Sequence, residues 1–344
     1  MPDKSALRIV SIGGGTGLST LLKGLKKYAI AVGGTNPRPA VAELTAIVTV
    51  TDDGGSSGRL RREFAILPPG DIRSCMVALS EDEATLAKLF QYRFASGSGL
   101  KGHSFGNLFL AALTHITGDF AHAVKLSSEV LAIAGSIYPS TAANVILEAT
   151  LEDGKKITGE TNISRSKLRI KKLSILPNRP KPLPEALEAI EQADLITFGP
   201  GSLFTSIIPN LLVDGIPAAL AKSHGLKAYF TNLMGQPGET VDFTAADHLA
   251  ALRDHSRPDL VDYVVVNNAP VSAKLLDTYA VGRAHPVETD QWRLKRMKVS
   301  VVSENLLSES EKIRHDSDRV AAVAIKLARL GRRRRLIRET KLGG

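Results

Sequence analysis

The chain has 344 residues, 43% hydrophobic and 23% charged, with 29 glycines and 17 prolines, a balance that builds a large core and excludes a disordered or fibrous chain. Its single cysteine, Cys75, excludes an internal disulfide and a cysteine zinc cluster. The net charge of +9 invites a nucleic-acid reading, but residues 331–344 carry six basic side chains against Glu339, a local +5, leaving only +4 on the other 330 residues.

That excess is read as a solvated basic tail, so no nucleic-acid partner is expected. No stretch approaches the roughly 18 apolar residues of a membrane span, and Leu7–Ile12 is too short for a signal sequence. A soluble, cytoplasmic protein is expected.

Leu7–Ile12 reads as a buried strand. It runs into Gly13, Gly14, Gly15, Thr16 and Gly17, and then into a helix with Leu18, Leu21, Leu22 and Leu25 on one face. Glycines let the backbone turn and approach a ligand closely, and a helix start offers free N–H groups to a phosphate. Leu18 stands where a dinucleotide fingerprint has its third glycine, and no Gly-Lys-Ser/Thr follows as in a Walker loop.

Leu44–Val50 is a second buried strand, ending at Asp52 and Asp53 and the Gly54–Arg62 segment. The two carboxylates are candidates to hold Mg²⁺, to accept from a ribose or to act as a base, and Arg59 is a candidate phosphate ligand. Gly102–Gly106 matches the nucleophile-elbow pattern around Ser104, but a loop precedes it where the elbow needs a strand. It is read instead as a helix entry, with His103 and Asn107 lining its polar start.

Val145–Leu151 and Lys156–Ile157 flank an Asp-Gly turn and predict a hairpin. Leu168–Leu176 continues it, so residues 140–180 are read as a small β excursion. Asp194–Phe198, Lys227–Thr231 and Tyr263–Val266 are further buried strands, followed by Gly199, Gly201 and Ser202, by Asn232 and Gln236, and by Asn267. Asp316–Leu330 predicts a final amphipathic helix. Short buried strands alternating with helices predict a Rossmann-like, doubly wound parallel α/β sheet whose carboxyl edge gathers these loops. No histidine pair has helical metal-ligand spacing, and one tryptophan with six tyrosines makes no base-stacking platform.

Several segments together resemble the gluconeogenesis factor YvcK family, CofD-like proteins related to 2-phospho-L-lactate transferase. They are Gly13–Leu18, Thr51–Arg61, Leu67-Pro68-Pro69-Gly70-Asp71-Ile72-Arg73, Gly102–Leu108, Gly199–Leu203 and Gln236–Thr240, in order over residues 7–295. Ala65, Ser74 and Gly235 depart from the pattern, which has Gly, Asn and Thr there. The resemblance implies one Rossmann-like domain over 1–330, with 331–344 outside it. It implies a UDP-sugar ligand such as UDP-N-acetylglucosamine and a role in cell shape and envelope synthesis on gluconeogenic carbon. Envelope-synthesis protein partners and a homo-oligomer are expected with it. The transferase relatives imply the alternative, transfer of a phosphorylated group with Mg²⁺ and a nucleotide, with Asp52 and Asp53 at the acidic strand end. An aromatic-poor sequence with no evident slot for a deazaflavin favours the binding protein.

Overall fold

Leu7–Gly13 is apolar on both faces, and such a strand is stable only between two layers of helices. In the computed structural model, which describes residues 6–29, 40–80 and 85–342, it is the first of twelve strands. These are β1 (Leu7–Gly13), β2 (Val41–Val48) and β3 (Ser136–Pro139), then β4 (Ile146–Leu151), β5 (Lys156–Thr158) and β6 (Ile170–Leu176). After them come β7 (Leu195–Phe198), β8 (Leu226–Phe230), β9 (Tyr263–Asn267), β10 (Ser300–Glu304), β11 (Leu307–Glu309) and β12 (Ile313–His315).

Seven strands form one parallel sheet in the order β10-β9-β8-β7-β1-β2-β3. The chain winds outward from β1 through β2 to β3, returns to β7, and winds the other way to β10. The switch point therefore lies between β1 and β7, where the two glycine loops leave the sheet. The β excursion is an antiparallel sheet, β5-β4-β6, with the expected hairpin pairing Thr150 to Lys156.

Each face of the large sheet has its own core. Leu18, Leu21, Leu22 and Leu25 of the helix Gly15–Lys26 pack with Val320, Ala324 and Leu327 of the last helix on one side. On the other, Ile190, Phe204, Ile208, Leu249 and Tyr229 pack with Leu147 and Leu173 of the excursion. Among the described residues no single helix is long and apolar enough to cross a membrane; the bent apolar pair Leu203–Leu211 and Ile216–Lys222 is buried in this second core.

The edge strands β3 and β10 were not expected from the sequence. One expectation needs correction. The final helix does not stop at Leu330: it runs from Ser317 to Leu342 through the supposed solvated tail, with residues 343–344 outside the described chain. The reason is a docking site at the amino edge of the sheet. Arg332 and Arg335 pair with the fully buried Asp194, and Gly331 lets the helix pass, since a Cβ there would sit 1.9 Å from the Asp194 carbonyl oxygen.

Candidate functional site: a cleft at the switch point

The four glycines after β1 do different jobs. Gly13 ends the strand, and a Cβ on it would lie 3.8 Å from the Gly199 Cα. Gly15 has a left-handed backbone, φ +64°, which glycine adopts without cost. Gly17 touches the second loop: a Cβ there would lie 2.4 Å from the carbonyl oxygen of Pro200. Gly14 gives its Cβ space to the Asp71 carboxyl, 2.5 Å away. Asp71 accepts from the Gly15 N–H, while the first-turn N–H groups of Thr16 and Gly17 have no acceptor within their helix.

The second loop differs from the first despite its similar sequence. The helical start at Leu203–Ile207 is already capped from within the chain. Glu239 accepts from the Phe204 N–H at 3.1 Å and from Thr205 Oγ1 at 2.9 Å. The donors at this helix start thus serve a buried carboxylate, whose pKa burial raises. At the first loop Asp71 takes only the Gly15 N–H, which leaves those of Thr16 and Gly17 for a ligand anion.

Between the two loops and the turn after β8 lies a cleft of about 610 Å³. Gly14, Gly15, Thr16, Gly17, Gly201, Ser202, Asn232 and Gln236 all line it. The last three are joined: Asn232 Nδ2 donates to Gln236 Oε1 at 2.9 Å, and Gln236 Nε2 donates to Ser202 Oγ at 3.0 Å. The opposite wall is the β11–β12 hairpin, with Glu311, Lys312, Arg314 and His315, and Tyr279, whose Oη accepts from the Ile313 N–H. His315 donates from Nε2 toward the Thr231 carbonyl, and burial pushes its pKa down to about 4. No turn signature or glycine motif marked this wall in the sequence, because strands of three residues are too short to show a period.

The remaining sequence candidates fall outside the cleft. Asn267 bonds Ala269 and the Leu306 N–H, clipping the turn after β9. Arg59 donates to the Lys101 carbonyl at 2.8 Å. His103 and Asn107 meet at Ser56: Ser56 Oγ is 2.9 Å from His103 Nδ1, and Asn107 Nδ2 donates to it at 3.1 Å. Arg73 Nε extends this chain to Asn107 Oδ1 at 3.0 Å. Burial, followed by the charge of Arg59, lowers the His103 pKa. Ser104 caps the helix Phe105–Thr117 through the Asn107 N–H, after a run of turns, so no nucleophile elbow forms.

Asp52 and Asp53 turn to different partners. Asp53 Oδ1 accepts from both the N–H and the hydroxyl of Thr161, at 2.9 and 2.6 Å, tying β2 to the excursion. Asp52 Oδ1 accepts from the Gly54 N–H at 2.8 Å, and its other oxygen faces Gly70, beside Asp71. Burial, with the charge of Asp52, pushes the Asp71 carboxyl up to about 7. Glu160 joins them, pushed up to about 9 by burial and by Asp52, Asp71, Glu239 and Asp53. Asp71 and Glu160 were missed as candidates because they lie far from Asp52 in the chain.

Among the described residues no group of three or more His, Cys, Asp or Glu side chains is arranged to hold a metal ion. Magnesium, however, commonly takes only one or two carboxylates and completes its shell with phosphate oxygens and water. Asp52 and Asp71, mutually repelling beside the first glycine loop, fit that mode; Asp53 gives one of its oxygens to Thr161.

The sequence model described as 2-phospho-L-lactate transferase CofD matches residues 9–307. The gluconeogenesis factor of Halalkalibacterium halodurans is 46% identical over 314 residues, 91% of this chain and 94% of that protein. The gluconeogenesis factor of Bacillus subtilis is 45% identical over 321 residues, 93% and 98%. A crystal structure of a UPF0052 family member from Bacillus halodurans superposes with a TM-score of 0.88 at 45% identity, covering 93% of this chain and 99% of that one. With the family model matched over most of its length and the fold shared with a relative at 45% identity, the chain belongs to the CofD family, in the branch of the gluconeogenesis factors.

Proposed function

We propose that the chain is a gluconeogenesis factor that holds a UDP-sugar of the UDP-N-acetylglucosamine type in the switch-point cleft. Its role on this reading is regulatory, linking envelope synthesis and cell shape to growth on gluconeogenic carbon. The observation that carries the reading is the division of labour between the two glycine loops. The first leaves the Thr16 and Gly17 N–H donors for a diphosphate, while the second gives the Phe204 N–H to Glu239 and contributes Ser202 to a polar row with Asn232 and Gln236, suited to sugar or base hydroxyls and carbonyls.

The test uses Thr16→Glu. Thr16 is exposed in the first turn of its helix, where an acidic side chain favours the helix dipole but repels a phosphate. The variant should melt no lower than the parent and bind UDP-N-acetylglucosamine at least tenfold more weakly by calorimetry, as a loss of about 1.4 kcal/mol implies. Equal affinity in both proteins would remove the ligand from this loop.

The second reading, transfer of a phosphorylated group from a nucleotide donor of the 2-phospho-L-lactate transferase kind, is favoured by the acidic group of Asp52, Asp71 and Glu160, of which Asp71 meets Gly14. Asp52 and Asp71 would hold Mg²⁺, which when bound would neutralise phosphate charge. Turnover of a nucleotide donor with release of the nucleoside mono- or diphosphate would establish it.

A further inference from the structure

A second groove, of about 760 Å³, runs beside the cleft and shares Pro237 and Gly282 with it. Apart from Glu152, its walls come from three separate places: the loop after the helix Glu160–Ser164, the turn Pro237–Asp242, and the chain just past the helix Ala273–Ala280. From these it collects Arg165, Lys167, Arg169 and Arg283. None of the four forms an ion pair among the described residues; Arg169 instead lies over the Phe243 ring, 5.2 Å from its centroid.

Three acids among the described residues share the groove, and Asp242 stands on its rim. Glu239 is held by Phe204 and Thr205, and Glu152 accepts from the backbone N–H of Arg169. Two non-glycine residues on the rim, Asp242 (φ +59°) and Arg283 (φ +56°), have left-handed backbones, a cost that folds tolerate where a side chain has to be aimed. The arginines of the last helix behave in the opposite way: Arg332, Arg334 and Arg335 are each matched to Asp194 or Asp262. Four cations lining one groove, none of them in an ion pair among the described residues and with one of its three acids buried on Phe204 and Thr205, make a site for an anion.

We propose that this groove is a second binding site, for a phosphate- or carboxylate-bearing group held beside the ligand of the cleft. The neighbourly relation rests on the cleft being the nucleotide site; the anion site itself does not. The anion has two possible sources, a separate small molecule or an acidic group at the far end of the nucleotide sugar, and two arms distinguish them.

In the first arm, inorganic phosphate is titrated into the full chain, into Thr16→Glu, and into Arg165→Ala/Lys167→Ala/Arg283→Gly. In the second, UDP-glucuronate is compared with UDP-glucose. A separate anion gives phosphate binding that survives Thr16→Glu and weakens about tenfold or more in the triple variant. A distal acid gives a UDP-glucuronate preference of similar size, which the triple variant erases. Arg165→Lys/Lys167→Arg, which keeps the charge, retains binding in either arm and separates charge loss from misfolding. The proposal is overturned if the triple variant matches the parent in both arms, or if the parent shows neither phosphate binding nor a glucuronate preference. Failure of the cleft reading looks different: no UDP-sugar binds, while phosphate binding still depends on the three cations.

Discussion

Arg335 reaches the carboxylate of Asp194 at the amino edge of the sheet, its Nη2 3.2 Å from Oδ1, with Asp194 wholly out of solvent. Arg332 approaches the same oxygen at 3.5 Å, and the Arg8 N–H donates to the other at 2.9 Å. The last helix is thereby clasped to the strand that carries the second glycine loop. Removing one partner of a buried pair leaves the other charged and unmatched, which costs about 3–5 kcal/mol.

Asp194→Ala, and a chain ending at Leu330, should therefore both lower the melting temperature, by roughly 5–10 °C on that cost. Calorimetric melting of the two proteins checks this. An unchanged melting temperature in the shortened chain would mean that the helix beyond Leu330 adds nothing to the fold.

Ala65 offers a change in the other direction. It ends the helix Gly55–Phe64 in a left-handed conformation, φ +52°, and is exposed. That is the position where helices favour glycine. Ala65→Gly should stabilise the protein by about 0.5–1 kcal/mol, seen as a higher urea midpoint with an unchanged slope.

The carboxyls of Asp71 and Glu160 predict a pH dependence of unusual sign. A carboxyl whose pKa is raised by folding holds its proton more tightly in the native state. It costs stability as pH rises from its unfolded value, near 4, toward its folded value. For Asp71 that window closes at about 7 and for Glu160 at about 9. His315, pushed down to about 4, acts oppositely but only below its unfolded value of 6.5. Between pH 7 and 8.5 the parent should therefore lose stability relative to Glu160→Gln, by at most about 1.4 kcal/mol per pH unit. Parallel urea midpoints for the two proteins over that range would show that Glu160 is already ionised at neutral pH.

The sheet was legible because its strands are apolar on both faces and its turns are rich in glycine. β1, β2, β7, β8 and β9 all follow from that pattern, as does the excursion hairpin from its Asp-Gly turn. β2 stops at Val48, short of the expected Val50; the Thr49 N–H makes a last bond to the Gly13 carbonyl, and Thr49 and Val50 remain buried. The glycine loops and the Asn232–Gln236 segment were legible as one edge, since parallel strands place their following loops together. What composition could not reveal is pairing at a distance. Arg332 reads as a tail residue until Asp194 is known to lie beneath it, and Glu239 reads as an ordinary loop acid until it is found on the Phe204 N–H. The hairpin wall of the cleft lacked a signal for a different reason, its strands being too short to show alternation.

The adjacent acids Asp52 and Asp53 supply the sharpest test of the site. Asp53 spends one oxygen on two Thr161 donors that link β2 to the excursion, so Asp53→Ala should cost about 1–3 kcal/mol of stability and leave ligand affinity within about twofold, a difference of 0.4 kcal/mol. Asp52→Asn keeps the oxygen that accepts from Gly54 and removes only charge, so its fold should be unharmed. Asparagine there also relieves the repulsion that raises Asp71 and Glu160, and both carboxyls should titrate lower. If magnesium sits between Asp52 and Asp71, UDP-sugar affinity in Asp52→Asn should fall and chelation of the parent should reproduce the fall. If the ligand is bound without metal, Asp52→Asn should instead leave affinity equal or raise it, since one negative charge near the diphosphate is gone. Calorimetric titrations of the parent and both variants, with and without chelator, read all of these outcomes. An affinity loss in Asp53→Ala equal to that in Asp52→Asn would show that the excursion, through Thr161, holds the ligand site in shape.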